Sequence, residues 1–468
     1  MLSDDYSPYC GLTYDRHNRV QRAATQPHIM ISAPTRTGKT RRILAPAAVL
    51  HPGPFVGVSS KPDLAELVIT KRSLGVTAVI DLRPEHTEVW PAGVRRMVTD
   101  PTRTITNAHE ALTVAETMLA TSGVGFSGAG GGNVAAGGLW ETQAAPPLAC
   151  LLYAVSPLGN GQGMPWVLDA VQNFGMVDPN DDNAVAEVGA PSWLTAFGLC
   201  DQPKLADPLY AVIAGMDSRL RDSIKITVTK AVSPWLRLGL SADENTGHLS
   251  AAERISTDSF DVRMLDEPDA TLLVIAPNKG TVAGAAVALI DSIVRYFRRK
   301  MANHQLTHRL LLELDEVCNA CPLPELLTYV GESAGLGVNI LATVQGSSHF
   351  DVVYGPKYAD ALRDMFPGTL IMYGAHERYL LEQASHWLGE TTRRTESYDA
   401  AGGGRSQSSQ FGQAIGWQEL LPQSREEAQL LQKGTAGERV LIPDWSEFLT
   451  IYDQAVTQRL RRVGSQMT

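Results

Sequence analysis

His28-Ile29-Met30-Ile31-Ser32-Ala33-Pro34-Thr35-Arg36-Thr37-Gly38-Lys39-Thr40 joins a short apolar run to a Gly/Thr turn, and helical spacing follows from Thr40 to Leu50. The eight residues from Ala33 to Thr40 fit the phosphate-loop pattern, with Ala33 in place of its first glycine. The spacing has a physical cause. A strand ends, the backbone turns its N–H groups inward around a phosphate, and a helix N-terminus adds positive potential. Pro34, Thr35, Arg36 and Thr37 form the wall of such a cradle, and Gly38 allows close backbone approach. Lys39 would reach the β- and γ-phosphates, and the Thr40 hydroxyl would hold Mg2+. A pattern this loose occurs by chance in on the order of a few per cent of chains of this size. The strand before it and the helix after it are the context the chemistry requires.

Phe55–Ser59 and Thr77–Asp81 read as further buried strands. Alternation of short apolar strands with helices predicts an α/β fold, a mostly parallel sheet covered on both faces. From about Leu148 to Leu240 strand signals fade and helical spacing takes over, so residues 148–258 are expected to form an inserted all-α domain. Strand signals return at Thr271–Pro277, Arg309–Asp315, Val338–Gln345 and Thr369–Tyr373, with an amphipathic helix over Val282–Lys300. The expected organisation is a polar lead-in (1–27), a nucleotide-binding domain in two parts (28–147 and 259–398), and a flexible Gly/Ser segment with a C-terminal part (399–468). Within the last, Asp399–Gln410 is low in complexity, and an Arg-bearing helix closes the chain.

The run Leu310-Leu311-Leu312-Glu313-Leu314 ends in Asp315-Glu316, two acids at the end of an apolar strand. Beside a phosphate loop, the first carboxylate would hold Mg2+ through water and the second would polarise an attacking water. Glu313 is expected to be structural. Gln345 closes a third apolar run and could sense the γ-phosphate. Lys39 and Asp315 lie 276 positions apart, far more than a minimal kinase or GTPase core uses, which argues for a domain inserted within the nucleotide fold and against a simple phosphotransferase.

Composition narrows the partners. The 468 residues are 44% hydrophobic, enough for a sizeable core, and 40 Lys+Arg against 50 Asp+Glu give a net charge of −10. This charge argues against a globally basic nucleic-acid coat, and any DNA contact must be local. Five scattered cysteines do not make a disulfide framework and point to a reducing compartment. No apolar run reaches the roughly 18–20 residues of a membrane span, and the first residues lack the pattern of a signal peptide. Cys318-Asn-Ala-Cys321 has no second pair to complete a zinc site. Met216–Leu240 carries five cations against two acids, either a cargo-facing surface or, more simply, a solvated helix face. The cations Arg295, Arg298, Arg299 and Lys300 suit a helix C-terminus. Ser122–Gly138, nearly all Gly, Ala and Ser, is expected to be a mobile connector, with a pore loop as the other reading.

In order and spacing these motifs resemble the VirD4/TraG/TraD coupling proteins of type IV secretion. The resemblance rests on Ala33–Thr40, Ser59-Ser-Lys-Pro-Asp-Leu64, Trp140-Glu-Thr-Gln-Ala144, Leu311–Glu316, Ser333–Val338 with Gln345, and Ser385-His-Trp-Leu-Gly389. It runs from about residue 28 to 445. It implies a RecA-like P-loop NTPase with an inserted all-α domain, assembled as a homo-hexamer around a DNA channel. ATP and Mg2+ are the implied cofactors, with Lys39, Asp315, Glu316 and Gln345 as catalytic residues and Thr40 and Asp315 as metal ligands. The implied partners are DNA, held through its phosphates and without sequence preference, a relaxase or relaxase–DNA complex, and the secretion machinery. The implied location is the cytoplasmic face of the cell membrane. Three departures stand out. Only 32 residues precede Ala33, where many relatives carry transmembrane helices. Ala33 replaces a glycine. The basic residue that the family often has before Gly335 is absent from Glu332-Ser333-Ala334, which leaves Arg363, Arg378 and Arg405 as candidates for an arginine acting across a subunit interface. Two rival readings remain open, a soluble FtsK/HerA-like DNA translocase and a nucleotide-gated adaptor that recruits a relaxase or effector protein.

Overall fold

The computed structural model describes residues 6–72, 74–83, 88–122, 139–175, 189–246, 259–277, 282–398, 405–435 and 437–466. Its strands are β1 (Leu12–Tyr14), β2 (Val20–Arg22), β3 (His28–Ser32), β4 (Phe55–Ser59), β5 (Thr77–Asp81), β6 (Arg95–Arg96), β7 (Thr271–Ile275), β8 (Leu310–Leu314), β9 (Val338–Val344), β10 (Gly368–Met372), β11 (Glu390–Tyr398), β12 (Arg405–Gln413), β13 (Glu427–Gln432) and β14 (Glu438–Leu441). Twelve of them form one sheet in the order β2-β1-β14-β13-β10-β3-β9-β8-β4-β7-β5-β6. From β10 to β6 every described pairing is parallel. The other end of the sheet is antiparallel.

The parallel strands read as unbroken apolar runs because helices cover both of their faces. Every residue of β3, β4, β7, β8 and β9 is buried. Alternation then divides the side chains between two apolar clusters: Met30, Leu312 and Leu314 join one, and Ile29, Ile31 and Leu311 join the other. Between β6 and β7 the described chain is largely helical, with helices Ala108–Thr121, Leu139–Val155, Met164–Ala170, Trp193–Leu199, Pro203–Ala214 and Ser218–Thr246. The second of these is the hub against which the other five pack. Its last eight residues, Leu148 to Val155, are all buried, in one continuous apolar cluster with Val56 and Ala78 of the sheet. Among the described residues no helix is long and apolar enough to cross a membrane.

Two expectations are corrected. The stretch read as a polar lead-in supplies β1 and β2 at the sheet edge, β1 pairing with β14. Tyr9 and Cys10 are buried there, and the Tyr9 ring lies 6.0 Å from that of Phe448. A few apolar residues in a polar context suffice when a distant helix, Trp445–Gln466, completes their packing. The segment read as flexible, Asp399–Gln410, is in part strand β12, which pairs antiparallel with β11 over nine residues. Its Ser/Gln composition hides the strand, because a two-stranded ribbon outside the main sheet has little need for an apolar alternation. Residues 399–404 lie outside the described residues, as do 123–138 of the Gly-rich connector and the acidic stretch 178–182.

Candidate nucleotide site

In an open parallel sheet, ligands collect at the carboxyl ends of the strands. Here β3 ends in the phosphate loop, β4 ends in Ser59, β8 leads into Asp315 and Glu316, and β9 leads into Gln345. Since β9 lies between β3 and β8, Gln345 emerges between the phosphate loop and the acid pair.

Ala33 is fully buried, and its N–H donates to the Val344 carbonyl at 3.0 Å. A methyl group at this position therefore packs in the core and leaves the loop free. Pro34 is half-buried, and its carbonyl accepts from the Thr37 hydroxyl at 2.8 Å. Thr35 and Arg36 are exposed. Arg36 and Gly38 both take positive φ, 62° and 86°, and such left-handed residues close a loop of inward-facing amides into a nest. A Cβ at Gly38 would lie 3.1 Å from the Arg42 side chain. The Arg42 guanidinium in turn donates to the Ile442 carbonyl at 2.7 Å, which ties the start of the helix to the C-terminal strands. Thr40 opens that helix in a single π turn, Thr40–Leu44, before regular α geometry from Ala45 to Leu50.

Lys39 is buried at 8% exposure, with Nζ 3.4 Å from the Ala33 carbonyl and 3.9 Å from Glu316 Oε1. Asp315 is equally buried, and its carboxylate accepts from Ser59 Oγ at 3.1 Å and Thr343 Oγ1 at 2.9 Å. Burial raises the Asp315 pKa above its ordinary value, while the charge of Lys39 and the two hydroxyls pull it down and Glu316 adds to the rise. Glu316 has a left-handed backbone, φ 53°, and its N–H donates to Thr343 Oγ1 at 2.9 Å. Its side chain accepts from Gln345 Nε2 at 3.2 Å and Asn319 Nδ2 at 3.4 Å. Lys39, Asp315, Glu316 and Gln345 thus share one site, although 276 positions separate the first two in sequence.

Ser59 and Thr343 are hydrogen-bond partners of Asp315 that motif reading did not single out. The signal available was a polar residue within or at the end of an otherwise apolar strand. Parallel register then sets Val58 beside Leu314 and Leu314 beside Ala342, so the next residue of each strand falls at Asp315.

The residues fit a magnesium triphosphate: a nest with positive φ, a buried ammonium, and a buried carboxylate whose desolvation a divalent ion would relieve. Elsewhere the geometry is structural. Arg363 is engaged within its own chain, donating to the Ser347 carbonyl at 2.8 Å and to Asp360 at 2.8 Å and pairing with Asp351. Arg378 pairs with Glu382 at 2.7 Å and lies over the Trp417 ring. The side chain of Arg405 lies outside the described residues. In the basic helix stretch, Arg221 and Lys225 both sit 5.1 Å from the centre of the Phe174 ring, and Lys225 donates to the Gln172 carbonyl. Those two cations therefore join helices together. Arg295, Arg298, Arg299 and Lys300 pair with Asp291, Glu332, Glu110 and Asp266. Cys318 and Cys321 are buried free thiols, the first raised to about 12 by burial. Among the described residues no group of three or more His, Cys, Asp or Glu could hold a metal ion.

A phosphate loop after β3, an acid pair after β8 and a polar strand end between them define a RecA-like P-loop fold. Residues 309–425, a quarter of the chain, match the family model of the TraM recognition site of TraD and TraG. No curated protein matches the chain in sequence. Among solved structures, the bacterial conjugative coupling protein TrwBdeltaN70 in an unbound form superposes with a TM-score of 0.53 at 17% identity, over 93% of this chain and 88% of that one. TrwB in complex with ADP and Mg2+ gives 0.51 at 16% identity, over 89% and 85%. TrwB with the non-hydrolysable analogue ADPNP gives 0.50 at 16%, over 89% and 85%.

Proposed function

We propose that this chain is an ATP-hydrolysing motor that moves DNA in conjugative transfer. The observation that carries the reading is the convergence of Lys39, Asp315, Glu316 and Gln345 at the carboxyl edge of three adjacent strands. TrwB, whose fold this chain shares, has been solved with ADP and Mg2+ and with ADPNP. The nest from Pro34 to Gly38 would hold the β-phosphate, with Lys39 bridging to the γ-phosphate. Thr40 and Asp315 would hold Mg2+, which would supply neutralisation of the phosphate charge. Glu316 would accept a proton from the attacking water, and Gln345, now hydrogen-bonded to Glu316, would report loss of the γ-phosphate. Lys39 is shared between the Ala33 carbonyl and Glu316. A triphosphate would draw it away and leave Glu316 free to act as base.

DNA, a relaxase and the secretion machinery complete the proposal as partners, with a homo-hexamer at the inner membrane face as the working assembly. Phosphate release by the purified chain tests it. Hydrolysis should require Mg2+, rise with added DNA and disappear in Lys39→Ala. If DNA leaves the rate unchanged while a relaxase is still recruited, the adaptor reading replaces the motor. If calorimetry finds no uptake of ATP or ADP, the nucleotide site itself is refuted.

A further inference from the structure

Beyond the four groups above, a second buried carboxylate lies at the same edge of the sheet. Glu377 follows β10 and is 6% exposed. Its Oε1 accepts from the Ser32 hydroxyl at 2.5 Å and from the Ser347 backbone N–H at 2.7 Å, and its Oε2 accepts from the Ser347 hydroxyl at 2.6 Å. Ser32 immediately precedes Ala33 at the root of the phosphate loop. Ser347 stands two residues beyond Gln345 in the turn that leads to helix His349–Tyr354. One carboxylate therefore ties the root of the phosphate loop to the turn that carries the γ-phosphate reporter.

Ser347 is held from the other side as well. Arg363 donates through Nη2 to its carbonyl at 2.8 Å and through Nε to its hydroxyl at 3.2 Å. Its N–H, carbonyl and hydroxyl are thus all engaged, and the turn is pinned between Glu377 and Arg363. Gln345 itself is exposed, with its amide on Glu316 at 3.2 Å. Apart from that one contact the side chain is open to solvent, so its place relative to the phosphate loop depends on the turn behind it. Buried charged groups are expensive unless fully hydrogen-bonded. Three short contacts from uncharged donors make Glu377 a firm anchor.

We propose that Glu377 is a positioning residue: through Ser347 it sets the place of Gln345 relative to the phosphate loop, and so sets the discrimination between triphosphate and diphosphate. This rests on the ATPase reading above. Glu377 touches neither nucleotide nor the attacking water in that reading, and acts through the turn.

Four variants of the whole 468-residue chain test the proposal: Glu377→Ala, Glu377→Gln, Ser347→Ala and Gln345→Ala. In Glu377→Ala, turnover should fall on the order of tenfold to a hundredfold, as expected for a misplaced group. Affinity for ADP should stay within about twofold, while the preference for ADPNP over ADP is lost. Glu377→Gln keeps an acceptor for Ser32 and the Ser347 N–H, and it should recover most of the turnover. Ser347→Ala retains its N–H contact and should fall in between. Adding Glu377→Ala to Gln345→Ala should cost little further turnover, since both changes disable one device. The proposal is overturned if Glu377→Ala weakens ADP and ADPNP equally, if its effect multiplies with that of Gln345→Ala, or if Glu377→Gln is as impaired as Glu377→Ala. If Glu377→Ala does not fold, the Glu377→Gln and Ser347→Ala profiles decide alone: loss of ADPNP preference without loss of ADP affinity supports it, and unchanged preference in both overturns it. A wild-type chain that neither binds nor hydrolyses ATP refutes the ATPase reading first, and the role of Glu377 with it.

Discussion

Replacing Thr343 by valine tests the acid pair without touching any charged group. Thr343 is fully buried in β9, and its hydroxyl makes two contacts at once. It donates to Asp315 Oδ1 at 2.9 Å and accepts the Glu316 N–H at 2.9 Å. Valine fills the same volume, so no cavity opens and the loss is polar. A hydrogen bond to a charged group is worth about 1.5–3 kcal/mol, and a buried N–H left without a partner costs about 1–3 kcal/mol. The two share one oxygen and will not add fully, so about 3 kcal/mol is expected. Glu316 amplifies the effect. Its left-handed backbone costs roughly 1–2 kcal/mol for a residue with a Cβ, and the Thr343 contact helps to hold it there. Freed of that contact, the backbone can relax to negative φ and swing the carboxylate away from Lys39 and Gln345. Chemical denaturation should show the lost stability. ATP turnover should fall on the order of tenfold to a hundredfold, equivalent to about 1.4–2.7 kcal/mol of barrier. Thr343→Ser restores the hydroxyl and should recover turnover and most of the stability. If Thr343→Val matches the wild type in both assays, the reading of Thr343 as the brace of the acid pair is wrong.

Three further outcomes follow from the same structure. Burial raises the Asp315 pKa, so the stability linked to this group is present below its unfolded value and is lost as pH rises through the raised folded value; nucleotide-free Asp315→Asn should therefore unfold at least as late as the wild type at pH 8, with the gap narrowing in acid, while its Mg2+-dependent turnover is lost. His28 and His51 are held neutral by burial, at about 4 and about 3, so their contribution is complete above the unfolded value near 6.5 and is lost as pH falls through the window toward those values. Each should cost about 2 kcal/mol by pH 5, read from denaturation midpoints, and His51→Gln should remove about half of the slope. Glu313 is fully buried with neither oxygen hydrogen-bonded, and Glu313→Leu should raise the thermal midpoint at neutral pH by the equivalent of about 1–3 kcal/mol; a lower midpoint would mean that this carboxyl stabilises the fold despite its unpaired oxygens.

What the sequence makes legible is what a single segment can encode. The phosphate loop lies within thirteen consecutive residues, and its strand, turn and helix follow from an apolar run, a glycine with positive φ and a change of period. The acid pair is legible because two carboxylates after Leu310–Leu314 break an apolar strand at its end. The bracing of those carboxylates is not encoded locally. Thr343 and Ser59 look like ordinary β-formers or turn residues until the order β3-β9-β8-β4 sets each one level with Asp315. Register between distant strands is a property of the packed sheet, and a one-residue slip would turn both hydroxyls to the opposite face. The same limit hides the short edge strands. Leu12–Tyr14 is too brief to show a period, and its partner, β14, lies more than four hundred positions away. The basic stretch around Arg221 and Lys225 shows the converse case, in which a conspicuous local pattern takes its meaning from a distant aromatic ring. Phe174 absorbs both cations, so their charge joins helices. Function in this fold accordingly divides by range. Groups that would touch phosphate lie in contiguous motifs, whereas the groups that aim them, Ser59, Thr343 and Glu377, come from separate strand ends and become a unit only when the parallel sheet forms.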